Sequence, residues 1–186
     1  MKLYRNAIIL VKIVALLVGA YFLIDSNKGK DDGITDTPSD TVKLTDYTSD
    51  EIASCTLINQ DGEFVIVKKD EEWALSKPDD IKADPSTLSS IVINASSVAA
   101  SKIVEEDAQD LSVYGLDKPI IVKVKPKEGD EIVIEIGNET PTESGYYAKL
   151  SGDDSVYVIG TYTANKLVVG RNDIRTKKIY DVAVED

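Results

Sequence analysis

Residues 120–126 read IIVKVKP and residues 131–137 read EIVIEIG. Side chains along a strand alternate between faces, so Val122 and Val124 share one face, and Ile132, Ile134 and Ile136 line the matching face of a partner. Only KEGD separates the two runs. That connection is long enough for a hairpin and too short for a helical crossover, so the strands must pair antiparallel. GYYAKL (145–150) and SVYVIG (155–160) follow, split by SGDD. The four runs predict an antiparallel meander.

The first half of the chain carries the same pattern. ASCTLIN (53–59) and EFVIVKK (63–69) are joined by Gln60, Asp61 and Gly62, and Asp-Gly between β-branched runs signals a hairpin. EEWALSKP adds a third strand with Trp73 and Leu75 on one face, ended by Pro78. VKL (42–44) gives a short edge strand and TDYTSDEI a turn. These strands predict a second, N-terminal antiparallel sheet beside the C-terminal one.

Between the two sets lies helical periodicity. Asp84 is a good N-cap with Pro85 at the first helical position. Leu88, Ile91, Val92, Ala95, Val98 and Ala99 form one apolar stripe, so the spacing predicts an amphipathic helix over 84–99 lying on a sheet. SKIVEE reads as another strand. In LSVYGLDKP (111–119), Asp107 is placed to cap a short helix over 107–114. Gly115 ends it in the left-handed conformation, Leu111 and Leu116 form the apolar pair of a Schellman motif, and Pro119 stops the helix resuming. The stretch is punctuation; only Asp117 and the Tyr114 hydroxyl are left for another role. A last helix over 162–169 stops at Gly170, before a basic cluster of Arg171, Arg175, Lys177 and Lys178. The class is α+β, with Trp73, Leu88, Ile91, Val92 and Leu116 in the core.

MKLYRNAIILVKIVALLVGAYFLID opens the chain. Its run of 18 residues from Ala7 to Ile24, apolar but for Lys12, is just enough to cross a hydrocarbon core of roughly 30 Å. Lys2 and Arg5 keep the N-terminus in the cytoplasm, and Lys12 reaches back to the headgroups. The alternative is a signal peptide cleaved after Val18–Ala20. Either way the rest of the chain crosses the membrane. The expected organisation is an anchor over 1–24, a polar linker over 25–40 about 20–25 Å end to end, and an extracytoplasmic domain over 41–186.

Residues 1–24 hold three of the 21 bases and no acid, so residues 25–186 set 18 bases against 33 acids, a net of −15. Such a domain repels nucleic acid and anionic lipid. The chain has no histidine and one cysteine, Cys55. Histidine-dependent nucleophilic systems and histidine or multi-cysteine zinc sites are therefore excluded. Cys55, inside IASCTLI, reads as a buried, inert thiol. The acidic linker does not match a calcium-loop pattern. No metal or cofactor is expected.

Three function classes remain. A tethered, non-enzymatic accessory module that binds a protein partner comes first; its candidate surface is Tyr114, Asp117, Tyr146, Tyr147, Arg171 and Arg175. The alternative is a ligand-binding or sensing domain, with tyrosines 114, 146, 147, 157 and 162 lining a carbohydrate or glycopeptide cleft. A carboxylate hydrolase using Glu105, Glu106, Asp107 and Asp110 needs a carboxyl with a raised pKa in an apolar pocket, and an acidic turn does not supply one.

The order of certain elements carries a resemblance. Trp73, Leu75 and Pro78 come first, then Ala83-Asp84-Pro85. Tyr114-Gly115-Leu116-Asp117 with Pro119 follows, then Ile136-Gly137, Gly145-Tyr146-Tyr147, Val156-Tyr157 and Ile174-Arg175. From about Ala53 to Ile179 the chain resembles the bacterial domain-of-unknown-function family 4340. The resemblance implies a membrane-anchored, extracytoplasmic protein with no assigned catalytic residues. Some members neighbour ABC-type exporters, which implies an ABC transporter component as partner. Members often carry the unit twice; here there is one copy.

Overall fold

The computed structural model describes residues 41–177. The expected anchor, the linker and Lys178 lie outside the described residues. Among those described, no helix is long and apolar enough to cross a membrane.

The fold is α+β. Its strands are β1 (Val42–Lys43), β2 (Ile52–Asn59), β3 (Gly62–Lys69), β4 (Glu72–Lys77), β5 (Ala99–Glu105), β6 (Ile120–Pro126), β7 (Ile132–Glu139), β8 (Gly145–Leu150) and β9 (Val156–Gly160). The helices are α1 (Pro85–Ser96), α2 (Thr161–Leu167) and α3 (Arg171–Ile174). The strands form one antiparallel sheet in the order β1-β5-β9-β8-β7-β6-β2-β3-β4. This corrects the expectation of two sheets. Cys55 pairs with Val124 and Leu57 with Val122, so β2 and β6 weld the two meanders together. Both edges of β2 need partners, and β3 can fill only one of them.

One face of the sheet holds the main core. Val122 lies opposite Ile134, and both are buried, as the alternation requires. With Phe64, Ile66, Ala148 and Ile159 they pack against Leu88, Ile91, Val92 and Ala95 of α1 and Leu167 of α2. Trp73 is buried in this core. The Asp84 carboxylate caps α1 by accepting the Ser86 N–H at 2.8 Å. The helix stops at Ser96, three residues short of the expected end. There the Val98 N–H donates to Thr45 Oγ1, the Val98 carbonyl accepts from Leu44 and Thr45, and Ala99 begins β5. An external partner for the backbone has outcompeted the helical pattern.

The opposite, outer face is treated differently. Residues 106–119 run from β5 to β6 and must pass β9, β8 and β7. They do so as a strap across the outer face. The Ala108 N–H donates to the Asp154 carbonyl, and Leu116, Val156 and Val158 are buried there. Only Leu111–Tyr114 is helical, as a 3₁₀ turn, and its cap is Asp110 rather than Asp107. Residues 107 and 108 are held instead by the Gln109 amide and by the turn before β9. The Schellman geometry is as expected: Leu116 N–H reaches the Leu111 carbonyl and Gly115 N–H that of Ser112, each at 3.0 Å. Gly115 has φ +69°. Gly115→Ala should therefore cost roughly 1–2 kcal/mol in denaturant unfolding. A Cβ there would also sit 2.4 Å from the Asn138 side chain, which lies exposed and can turn aside.

The last helix also differs from expectation. It spans 161–167 rather than 162–169, and the basic cluster contains its own turn, α3. The last helical hydrogen bond runs from the Val168 N–H to the Ala164 carbonyl, and beyond it the Asn59 amide donates to the Val169 carbonyl.

Candidate functional site

The six candidate surface residues do not form one surface. Tyr114 and Tyr147 meet edge-to-face on the outer side, ring centroids 4.9 Å apart. The Tyr114 hydroxyl donates to Glu105 Oε2 at 2.7 Å, and that bond raises the tyrosine pKa above its usual value. Asp117 is exposed at the end of the strap. Tyr146 packs on the helix-bearing face, where burial raises its pKa. Arg171 is in α3 and pairs with Asp80, while Arg175 bridges to Ala83 just before α1. Of the other tyrosines, Tyr157 is buried and donates to Asp153 Oδ2, and Tyr162 is exposed at α2.

The carboxylates weighed for hydrolysis serve the strap. Glu105 accepts from Tyr114. Asp110 accepts from Ser112 Oγ and N–H, and these bonds hold its pKa below the usual carboxylate value. A general acid needs the opposite shift. Cys55 lies fully buried in β2, and burial pushes its thiol up to about 12. A thiol reagent at pH 8 should leave it untouched in the folded chain and titrate it fully in denaturant. Stoichiometric labelling without denaturant would place the side chain elsewhere.

A different surface emerges along α1. The face turned away from the core carries Ser86, Ser89, Ser90 and Asn94, with Ile93 52% exposed. Beside it stands Tyr162, 74% exposed, with Lys166 Nζ 5.9 Å from its ring centre. Shallow grooves of about 580 and 540 Å³ flank this face. The first runs past Glu72, Trp73 and Tyr162, the second past Asn165, Val168 and Lys177. Of this surface the sequence reading named only Tyr162, as one of the cleft tyrosines, and missed the α1 face. The local signal for that face is Ile93, an isoleucine outside the Leu88–Ile91–Val92–Ala95 stripe.

The comparisons bear on this geometry. The profile described as "Domain of unknown function (DUF4340)" matches residues 73–186. The chain belongs to this family. No curated protein and no solved structure matches the chain. The DUF4340 match begins at Trp73, not Ala53, so β1, β2 and β3 precede it. The residues that carry the resemblance all fall within the match, and several have a common purpose in the DUF4340 fold. Gly115 turns the strap. Gly137 lies beneath it, where a Cβ would come 2.2 Å from the Tyr114 carbonyl oxygen. Gly145 lies against β9, where a Cβ would come 2.3 Å from the Ile159 carbonyl oxygen. Tyr147 meets Tyr114. The YGLD, IG and GYY elements are the strap and its seat.

Proposed function

We propose that the chain is a non-enzymatic accessory module of the cell envelope. Residues 7–24 anchor it in the cell membrane with the N-terminus inside, and the domain outside binds a protein partner, a component of an ABC-type transporter. The observation that carries the binding role is the α1 surface. A chain of net charge −12 with 29% charged residues places serines, an asparagine, Ile93 and Tyr162 side by side there. α1 itself contributes no charged side chain to this face, with Glu72 and Lys166 only at its borders. An exposed aliphatic and an exposed aromatic side chain beside an uncharged helix face suit the centre of a protein interface.

A photo-crosslinking residue at Ile93 tests this in intact cells, with Lys127, exposed on the β6–β7 turn, as control. The expected result is a discrete adduct from position 93 containing a membrane transporter subunit. Identical adducts from both positions would overturn the reading. Topology is tested separately. Protease added to spheroplasts should digest residues 25–186 and leave a short membrane-bound fragment. Lys12→Leu should strengthen anchoring, since a central lysine costs about 2.5–3.5 kcal/mol on insertion scales. Release of a soluble form beginning at Tyr21 would establish the cleaved signal peptide instead.

The same surface favours a second reading, a carbohydrate or glycopeptide site. The Tyr162 ring, the Ser86, Ser89 and Ser90 hydroxyls and the Glu72 carboxylate border one groove, a combination suited to a hydroxyl-rich ligand. A thermal shift with envelope glycans that disappears in Tyr162→Ala would favour it.

A further inference from the structure

The strap covers only part of the outer face. Over β4, β3, β2, β6 and the start of β7, no described element lies on that side. Register places Lys77, Val65, Thr56, Lys123 and Val133 in one row across these strands, and Ala74, Val67, Ser54 and Lys125 in the next. Neither row contains an acid. In the row beyond, Ile58 and Ile121 lie opposite each other, flanked by Glu63 of β3 and by Glu135 of β7, which pairs with Lys149. In a chain of net charge −12, these rows set Lys77, Lys123 and Lys125 among apolar side chains against Glu63 and the lysine-paired Glu135, an excess of positive charge.

The covered half has the opposite character. From Glu105 to Pro119 the strap segment carries five acids, Glu105, Glu106, Asp107, Asp110 and Asp117, against one base, Lys118. It rests against the turn that holds Asp153 and Asp154. It is raised above the sheet, and Val113 stands out from it, 67% exposed.

We propose that the outer face binds a second copy of this chain about a two-fold axis, with the strap of each copy seated on the bare half of the other. A two-fold interface brings the same patch of both subunits together, so it must be self-complementary. Here a raised acidic half lies beside a recessed half in which lysines outnumber acids. Rotation by 180° near β6 and β7 sets each against its counterpart twice. Val113 then meets the Val65, Val67, Ile58 and Ile121 strip, and the lysines of β4 and β6 face the strap carboxylates. One strap fills the layer between two facing sheets, which pack about 10 Å apart. Two bare halves facing each other would instead oppose lysine to lysine. The interface leaves the α1 surface free, so this inference and the partner reading fail independently.

The test uses the full chain in its membrane. One tagged copy carries Val113→Cys, and a differently tagged copy carries Thr56→Cys. Mild oxidation should give a disulfide-linked pair; Cys55, buried in β2, stays out of the reaction. Lys123→Glu/Lys125→Glu introduced into both copies should abolish the linked pair. Glu106→Lys/Asp117→Lys in both copies should do the same. Combining one copy of each charge variant should restore it, because both contacts again join opposite charges. Circular dichroism of each variant checks that it is folded. A linked pair insensitive to either charge reversal overturns the proposal. So does the absence of any linked pair when the cysteine chains are folded, and so does failure of the mixed variants to recover it.

Discussion

Replacing Trp73 with alanine is expected to lower the unfolding free energy by about 3–5 kcal/mol, the range for deleting a large buried aromatic side chain. The indole is only 8% exposed although β4 is the outermost strand of the sheet. It belongs to the same buried cluster as Leu88 and Ile91 of α1. It also borders two grooves, the one under Ser89 and Tyr162 and another of about 360 Å³ beside Ile81 and Ala83. Without the indole these grooves open toward each other and water reaches Leu88. Denaturant unfolding should show a lower midpoint with little change in slope. Trp73→Phe keeps part of the contact and should cost less. A midpoint within error of the parent chain would mean that α1 does not depend on β4.

The second large effect is expected at Gly137. The residue has an ordinary strand conformation, so backbone strain is not the reason. Its Cβ would come 2.2 Å from the Tyr114 carbonyl oxygen and 3.1 Å from Leu116 Cγ. The first neighbour is backbone, fixed by the hydrogen bonds that close the Gly115 turn, and cannot swing aside. Gly137→Ala must therefore lift the strap from β7 and expose Leu116, Val156 and Val158. Overpacking of this kind costs typically 1–3 kcal/mol, and the rigid neighbour places it at the upper end, roughly 3 kcal/mol. The change should exceed that of Gly115→Ala, where the obstructing group is a movable asparagine. Hydrogen exchange localised to residues 106–119 would identify the mechanism, whereas uniform loss of protection would point to global destabilisation.

Much of the fold was legible because its signals are local. Alternation located β6, β7, β8 and β9, and register then paired Val122 with Ile134 as expected. The cap at Asp84 and the glycine turn at Gly115 depend on neighbours within a few residues, and both stand. What was not legible depends on distance. No property of ASCTLIN says that its free edge will be taken by residues 121–126, so two meanders read as two sheets. The end of α1 was misplaced for a similar reason, since Thr45 claims the Val98 N–H from 53 residues away. Asp107 and Asp110 are equally good caps in sequence, and only the strap's path over the turn before β9 decides between them. The candidate surface dispersed because alternation assigns Tyr146 and Tyr147 to opposite faces. That conflict was already present in GYYAKL.

The position of β9 has a consequence for synthesis. It is the last of the described strands to be made, yet it lies between β5 and β8, strands completed 51 and six residues before it begins. Until Val156–Gly160 exist, β5 has no place in the sheet and β1, which pairs only with β5, has none either. The strap, anchored through Asp154 and Ser155, lacks the part of its floor made by Val156 and Val158. Loop-closure entropy is met in full before these distant contacts form, which slows folding of such topologies. A nascent chain halted before residue 156 holds its meanders with open edges, the condition most exposed to misassociation. Completion of this domain is thus a single late event that draws in the first strand and the last together.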